Sequence, residues 1–324
     1  MTMGKIAIEE HFLLPEFDDY FRTLIAGVPS ESFDPVLPKF WDLDTGRLAD
    51  MDLLGVERSI LSYFNYGSVQ LDPDAERAVQ MARRMNDALA QRIALHPDRL
   101  SGFAALPLQD PDAAVGEFRR TVTELGFKGA MINGHTGGHY LDEAQYWPLW
   151  EAAAQLSVPI YLHPWSSPAD QLKAYDGYPD ILGPTWNWTV ETATHALRIM
   201  CSGVFDAYPT AMMILGHMGE LLPFCMERFD QGWQFYAAHK AKHSITHYLR
   251  TNVWITTSGN VSAVSLTGAL SALGADRILF ATDYPFDLGP AFLPTMENGI
   301  LSTADLDKVY RGNAEQIFQL RGGG

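Results

Sequence analysis

Eight short apolar runs recur along the 324-residue chain, and seven of the connections between and around them are long enough to hold a helix. The runs read KIAIEEH, RSILSY, LSGFAALP, GAMINGH, PIYLHP, AMMILGHMG, VWITTSG and RILFATDYP. They are nearly continuous in apolar residues rather than alternating, the pattern of strands covered on both faces in a parallel sheet. The connections, among them AERAVQMARRMNDALAQRIALHP, PDAAVGEFRRTVTELGF and TVETATHALRIMCSG, place apolar residues three and four apart, and Gly or Pro closes most of them. A strand followed by a helix, repeated this often, predicts an α/β chain folded as a (β/α)8 TIM barrel, with a doubly wound open sheet as the alternative. No Pro/Gly/Ser-rich linker splits the chain, so residues 1–324 are expected to form one barrel domain. The segment 13–55 is too long for a simple connection. It is expected to be an insertion over the barrel top, after strand 1, plus a first outer helix at TGRLADMDLLG.

In such a barrel the side chains that do chemistry project from the C-terminal ends of the strands. Four runs end in residues that bind metals: Glu9-Glu10-His11, His163 in YLHP, His217 in LGHMGE and Asp283 in ATDYP. Alternation along a strand puts Glu9 and His11 on one face and Glu10 on the other. Imidazole and carboxylate together suit a divalent transition ion such as Zn2+ or Mn2+. A single buried His is more often a core residue, but agreement among four strand ends is hard to explain by packing. Glu220, three residues after His217, stands where it could orient that imidazole or favour a helix start. Arg228, two turns further on, suits either an anionic substrate or a surface ion pair. His135 and His139 follow the fourth run as site-loop candidates. Trp186, Trp188, Tyr284 and Phe286 are candidate walls for a flat ring. His195 reads as a structural mid-helix residue, and His239, His243 and His247 as a solvated helical stripe.

The net charge of −16 argues against a nucleic-acid binder, whose affinity comes from clustered Lys and Arg. No run is long enough to span a bilayer, and MTMGKIAIEEHF carries no secretory apolar segment. Two cysteines, Cys201 and Cys225, cannot build a disulfide framework. A cytoplasmic protein that binds neither nucleic acid nor membrane is the expectation.

On KIAIEEHF, GFAALPLQDPDAA, ELGFKGAMINGHT, PIYLHP, ETATHALRIMCSGVFDAYP, ILGHMGELLPFCMERFD and RILFATDYPF, the chain resembles the amidohydrolase superfamily, and within it the aromatic-acid decarboxylase branch. It is similar to γ-resorcylate (2,6-dihydroxybenzoate) decarboxylases and to 5-carboxyvanillate decarboxylases, from about Lys5 to Leu320. The resemblance implies that Glu9, His11, His163 and Asp283 are metal ligands and that His217 and Glu220 form a catalytic pair. It also implies that Asp283 is the proton donor and that Arg228 lies at or near the substrate pocket. Phe286 and His135, read from their positions, are expected as further substrate contacts. Members with two metals bridge them with a lysine on the fourth strand. Here Lys128 comes too early and Asn133 stands at the strand's end, so one divalent ion is expected. The implied activity is metal-dependent, non-oxidative decarboxylation of an ortho-hydroxybenzoate, a small aromatic carboxylic acid, by a homodimer or homotetramer. Two alternatives stay open: a metal-dependent hydrolase of an ester, lactone or amide, and a non-catalytic barrel with a structural metal.

Overall fold

Parallel pairing of the apolar runs in chain order builds the sheet of the computed structural model, which describes residues 4–25, 35–236, 238–260, 262–286 and 293–320. The strands are β1 (Lys5–Phe12), β2 (Val56–Tyr63), β3 (Leu100–Gly102), β4 (Ala130–Asn133), β5 (Ile160–His163), β6 (Met213–Leu215), β7 (Val253–Thr256) and β8 (Ile278–Leu279). β1 to β3 form one regular ladder and β4 to β8 another. The Ala104 amide joins the two at the Gly129 carbonyl (2.9 Å). On the other side Ile8 bonds to Phe280 (3.2 Å) and His11 to Tyr284 (2.9 Å), which closes the ring. The expected (β/α)8 barrel is therefore the fold, and the open sheet is not. Among the described residues, no helix is long and apolar enough to cross a membrane.

Two apolar clusters follow from the closed sheet. Inside the barrel, Ile6, Ile8, Ile60, Phe103, Met131, Tyr161, Ile214, Trp254 and Leu279 pack together, and Ile317 and Phe318 of the C-terminal segment join them. Met212, which immediately precedes β6, packs on the same cluster, so this segment plugs the N-terminal mouth. Outside, the second faces of the strands meet the helices Ala75–Ile93, Pro111–Thr123, Trp147–Leu156 and Asn187–Ser202 through residues such as Leu89, Phe118, Trp150 and Ile199. Helix and strand periodicity thus bury opposite sides of the same strands.

β1 departs from plain alternation. Ala7 pairs with Ser59 and Glu10 with Leu61, so three steps on β1 match two on β2. This one-residue bulge resets the parity. Ile6 and Ile8 face the interior cluster and Ala7 and Phe12 the outer one. Beyond the bulge Glu9 and His11 face inward.

The insertion after β1 contains the helices Asp18–Leu24 and Leu37–Trp41 and the outer helix Thr45–Leu54; its residues 26–34 lie outside the described residues, as does the Gly tract 322–324. Phe40 packs 4.8 Å from the Phe64 ring and 5.7 Å from Phe286, which ties the insertion to the barrel top. The single stripe expected for His239, His243 and His247 does not form. Only His247 lies in a helix (Ile245–Thr251), while His239 stacks on Trp233 and His243 on His247. His195 is fully buried mid-helix and accepts the Leu141 amide at Nε2 (2.8 Å), a structural role as expected.

Glu10 is neither solvated nor unpartnered. Its carboxylate accepts the Thr282 amide (2.9 Å) and the Thr282 hydroxyl (2.7 Å). Burial pushes its pKa up to about 7, against the pull of those bonds and of the nearby Arg47 guanidinium. Arg47 is 1% exposed, donates to the His11 carbonyl (2.6 Å) and lies 3.9 Å from the centre of the Tyr284 ring. This helix-borne cation pins the end of β1 to the segment after β8. Arg47→Met is expected to lower unfolding free energy by about 3 kcal/mol, because it leaves a buried carboxylate without its cation and a buried carbonyl without its donor. Denaturant unfolding measures this, and an unchanged midpoint would show that the guanidinium is not what holds this corner.

Candidate active site and metal centre

Four strand-end segments meet at the C-terminal mouth. β1 supplies Glu9 and His11, β5 supplies His163, the turn His217–Glu220 after β6 supplies both its end residues, and the segment after β8 supplies Asp283. Several of these residues sit in the left-handed region without being glycine: His217 (φ 50°), Met218 (57°), Glu220 (51°) and Asp283 (55°). Such backbone costs on the order of 1 kcal/mol or more per residue and concentrates where geometry serves a site.

The polar atoms converge closely. His11 Nε2 lies 3.3 Å from Asp283 Oδ1 and 4.0 Å from Glu9 Oε1. His163 Nε2 is 3.5 Å, and His217 Nε2 3.6 Å, from the same Glu9 oxygen. The second nitrogen of each imidazole is engaged: His163 Nδ1 with the Pro164 carbonyl (3.1 Å), His11 Nδ1 with Ser62 Oγ (3.1 Å) and His217 Nδ1 with Glu220 Oε1 (2.6 Å). These bonds aim every Nε2 at the common centre. Glu9, His11 and His163 form one group with ligand spacing, and Glu9, His217 and Asp283 another. Glu9 Oε1 and His11 Nε2 are buried and have no hydrogen-bond partner. Buried polar atoms are seldom left so. A cation at the centre would satisfy both, so the residues fit a divalent ion bound by mixed imidazole and carboxylate.

The other Glu9 oxygen is fully employed. Oε2 accepts the hydroxyls of Tyr161, Ser258 and Thr256, and the Ser258 hydroxyl also accepts the His217 amide (3.2 Å). Room for this comes from Gly216, where a Cβ would stand 3.1 Å from both Glu9 Oε2 and the Tyr161 hydroxyl oxygen. Tyr161 therefore caps the apolar interior with its ring and floors the site with its hydroxyl.

Charge is distributed unevenly. Burial pushes the Glu9 carboxyl up. Burial and the neighbouring imidazoles His11 and His217 hold His163 well below the usual imidazole range, so it is neutral. Burial alone would lower His217 too, but the carboxylates of Glu220 and Glu9 outweigh it and hold its pKa well above the usual range. Burial would raise Asp283, yet the adjacent imidazoles of His11 and His217 hold it well below the usual carboxylate range. An ionised Asp283 thus faces a protonated His217, with 3.9 Å between Oδ2 and Nε2.

Above this floor opens a cavity of about 600 Å3, lined by His11, His163, His217, Glu220 and Asp283 at its base. Phe64, Tyr66, Trp186, Trp188, Leu221 and Phe286 form apolar walls, with Thr185, Thr189 and Asn260 as uncharged polar groups. Phe286, Trp186 and Trp188 are thus where a ring-binding wall was expected. Tyr284 is not: its ring lies under Arg47 and its hydroxyl donates to Asp50. His135 is half-buried outside the cavity lining and accepts the Gly138 amide (3.0 Å), while His139 pairs with Glu143 on the surface. Arg228 is also outside it. The helix Met226–Phe235 turns it into a separate cavity with Arg198, Trp233 and His239. Sequence reasoning missed Phe64 and Tyr66, which follow β2, and the hydroxyls around Glu9. Tyr161 was within reach, since it precedes His163 by two and shares its face.

The chain matches the profile of a family described as amidohydrolase over residues 56–320. It is 44% identical to the γ-resorcylate decarboxylase of a Polaromonas species, across 98% of this chain and 99% of that protein. A crystal structure of dihydroxybenzoic acid decarboxylase from Polaromonas, with bound manganese and the inhibitor 2-nitroresorcinol, superposes with a TM-score of 0.91 at 42% identity, covering 99% of this chain and 98% of that one. A 5-carboxyvanillate decarboxylase from Novosphingobium aromaticivorans, solved with manganese and 4-hydroxy-3-methoxy-5-nitrobenzoic acid, gives 0.91 at 32% identity over 98% and 96% of the two chains.

Glu9→Gln and His11→Ala are each expected to weaken Mn2+ or Zn2+ binding by at least about tenfold, while Glu10→Gln, on the opposite face, changes it little. Competition with a chelating dye reads the Kd directly. Equal loss in all three variants would mean that the strand parity beyond the bulge is not as described.

Proposed function

Since the chain belongs to the amidohydrolase family, we propose that it is a metal-dependent, non-oxidative decarboxylase of an ortho-hydroxybenzoate, with 2,6-dihydroxybenzoate as the first candidate substrate. The observation that carries this reading is the pairing of a charged floor, with two unsatisfied buried ligand atoms, and an aromatic-walled cavity of about 600 Å3 with room for a substituted ring. The 44% identity to a γ-resorcylate decarboxylase over nearly the whole chain supports the same substrate class.

Glu9, His11, His163 and Asp283 would hold one divalent ion, manganese or zinc. When bound, the ion supplies positive charge that draws in the substrate's carboxylate and ortho-oxygen and polarises them. This chain's residues then manage one proton. Removing CO2 directly would leave an aryl anion, so the ring carbon that bears the carboxylate is protonated first. His217, kept as imidazolium by Glu220, stores the proton at Nε2 and passes it to Asp283 Oδ2. The incoming anionic substrate raises the proton affinity of Asp283, which delivers the proton to the ring carbon. The ortho-oxygen lone pair stabilises the protonated ring. The bond to the carboxylate then breaks, its electrons restore the aromatic ring, and CO2 and a phenol leave. Phe64, Trp186 and Phe286 hold the ring flat and keep water from the proton path. The exposed apolar side chains Trp186, Leu221, Phe224 and Phe286 suit burial in a homodimer or homotetramer.

Protein loaded with Mn2+ or Zn2+ is expected to convert 2,6-dihydroxybenzoate to resorcinol and CO2. Asp283→Asn should lower kcat on the order of 10^3-fold, the scale of a lost proton donor. Loss of acid absorbance and elemental analysis check the two together. Metal-bound protein that turns over no hydroxybenzoate but cleaves an ester or lactone would sink the decarboxylase reading in favour of a hydrolase.

A further inference from the structure

The two carboxylate oxygens of Glu9 meet different surroundings. Oε1 is buried without a hydrogen-bond partner, 3.5 Å from His163 Nε2 and 4.0 Å from His11 Nε2. Oε2 accepts from Tyr161 in β5, from Thr256 at the end of β7 (3.1 Å) and from Ser258 just beyond it. One carboxylate oxygen offers about two lone-pair sites, so three hydroxyl donors leave Oε2 none to spare. The hydroxyls also brace one another: Thr256 Oγ1 lies 3.3 Å from the Tyr161 oxygen and 2.7 Å from Ser258 Oγ. Glu9 and all three partners are fully buried. None of the three lines the cavity, so they act on anything bound there only through Glu9. Satisfying a buried oxygen takes one or two donors. Three donors, gathered from two strands onto one oxygen beside a bare one, do more than that.

We propose that Tyr161, Thr256 and Ser258 are positioning residues that restrict Glu9 to coordination through Oε1 alone, and so keep positions on the bound ion open for a chelating substrate. This rests on the metal-site reading of Glu9 and on the substrate class proposed above. Carboxylates bind divalent ions through one oxygen or through both. An octahedral ion that takes one atom from each of Glu9, His11, His163 and Asp283 keeps two positions free, the number that a carboxylate oxygen and an ortho-oxygen need together. A Glu9 free to turn its second oxygen onto the ion would take one of them. The hydroxyls prevent this by holding Oε2 on the side away from the bare oxygen.

Two double variants test the restriction without turnover. The first, Tyr161→Phe with Thr256→Val, removes two donors and keeps Ser258 on the His217 amide. The second, Tyr161→Phe with Thr256→Ser, returns one hydroxyl. Protein saturated with Mn2+ is titrated calorimetrically with 2-hydroxybenzamide, whose neighbouring oxygens chelate and which has no carboxylate to lose, and with 4-hydroxybenzamide, whose oxygens are too far apart to chelate. The wild type should prefer the 2-isomer. The first variant should narrow that preference about tenfold, and the second should restore it to within about twofold of the wild type. In crystals of the Mn2+-loaded proteins, the ion should meet only Oε1 of Glu9 in the wild type and both oxygens in the first variant. An undiminished preference in the first variant, equal losses in both variants, or one-oxygen coordination persisting in the first variant overturns the proposal and leaves the metal site standing. A wild type that takes up no Mn2+ overturns both.

Discussion

An extra residue in β1 allows a dry barrel and a wet site to share one strand. Ile6 and Ile8 must face inward to fill the barrel interior, and Glu9 must face inward to meet His163 and His217. Strict alternation permits one or the other. The bulge between Ala7 and Glu10 permits both, and bulges next to active sites are a recurring way to re-aim a side chain. Everything at the mouth depends on this shift. It brings Glu9 over the Tyr161 hydroxyl, directs His11 at Asp283, and turns Glu10 outward to Thr282 and Arg47.

The fold was legible because eight parallel strands buried on both faces leave unmistakable apolar runs, and helices between them keep their three- and four-residue spacing. The strand-end residues were legible for a similar reason. A Glu-x-His, two His and an Asp at the ends of apolar runs have little use in packing. The bulge itself was not. Counting from Ile8 would have placed Glu10 inside, and only the relative parity of Glu9 and His11 survives a shift that falls before both. Arg228 shows the limit of spacing alone. Two turns beyond Glu220 is close along the chain, but the backbone passes through left-handed residues at Met218, Glu220 and Leu221, so the helix Met226–Phe235 departs in a direction that no periodicity records.

The site gathers features that each cost stability: buried carboxylates, left-handed non-glycine backbone at His217 and Asp283, and ligand atoms without partners. The compensation is local and specific. Three hydroxyls hold one Glu9 oxygen, a glycine at 216 makes room for them, and the second nitrogen of each imidazole is tied down. Of the candidate ligand atoms, the two left without a hydrogen-bond partner, Glu9 Oε1 and His11 Nε2, lie together at the common centre. Strain alone gives no reason for two such atoms to converge, whereas one bound cation would satisfy both.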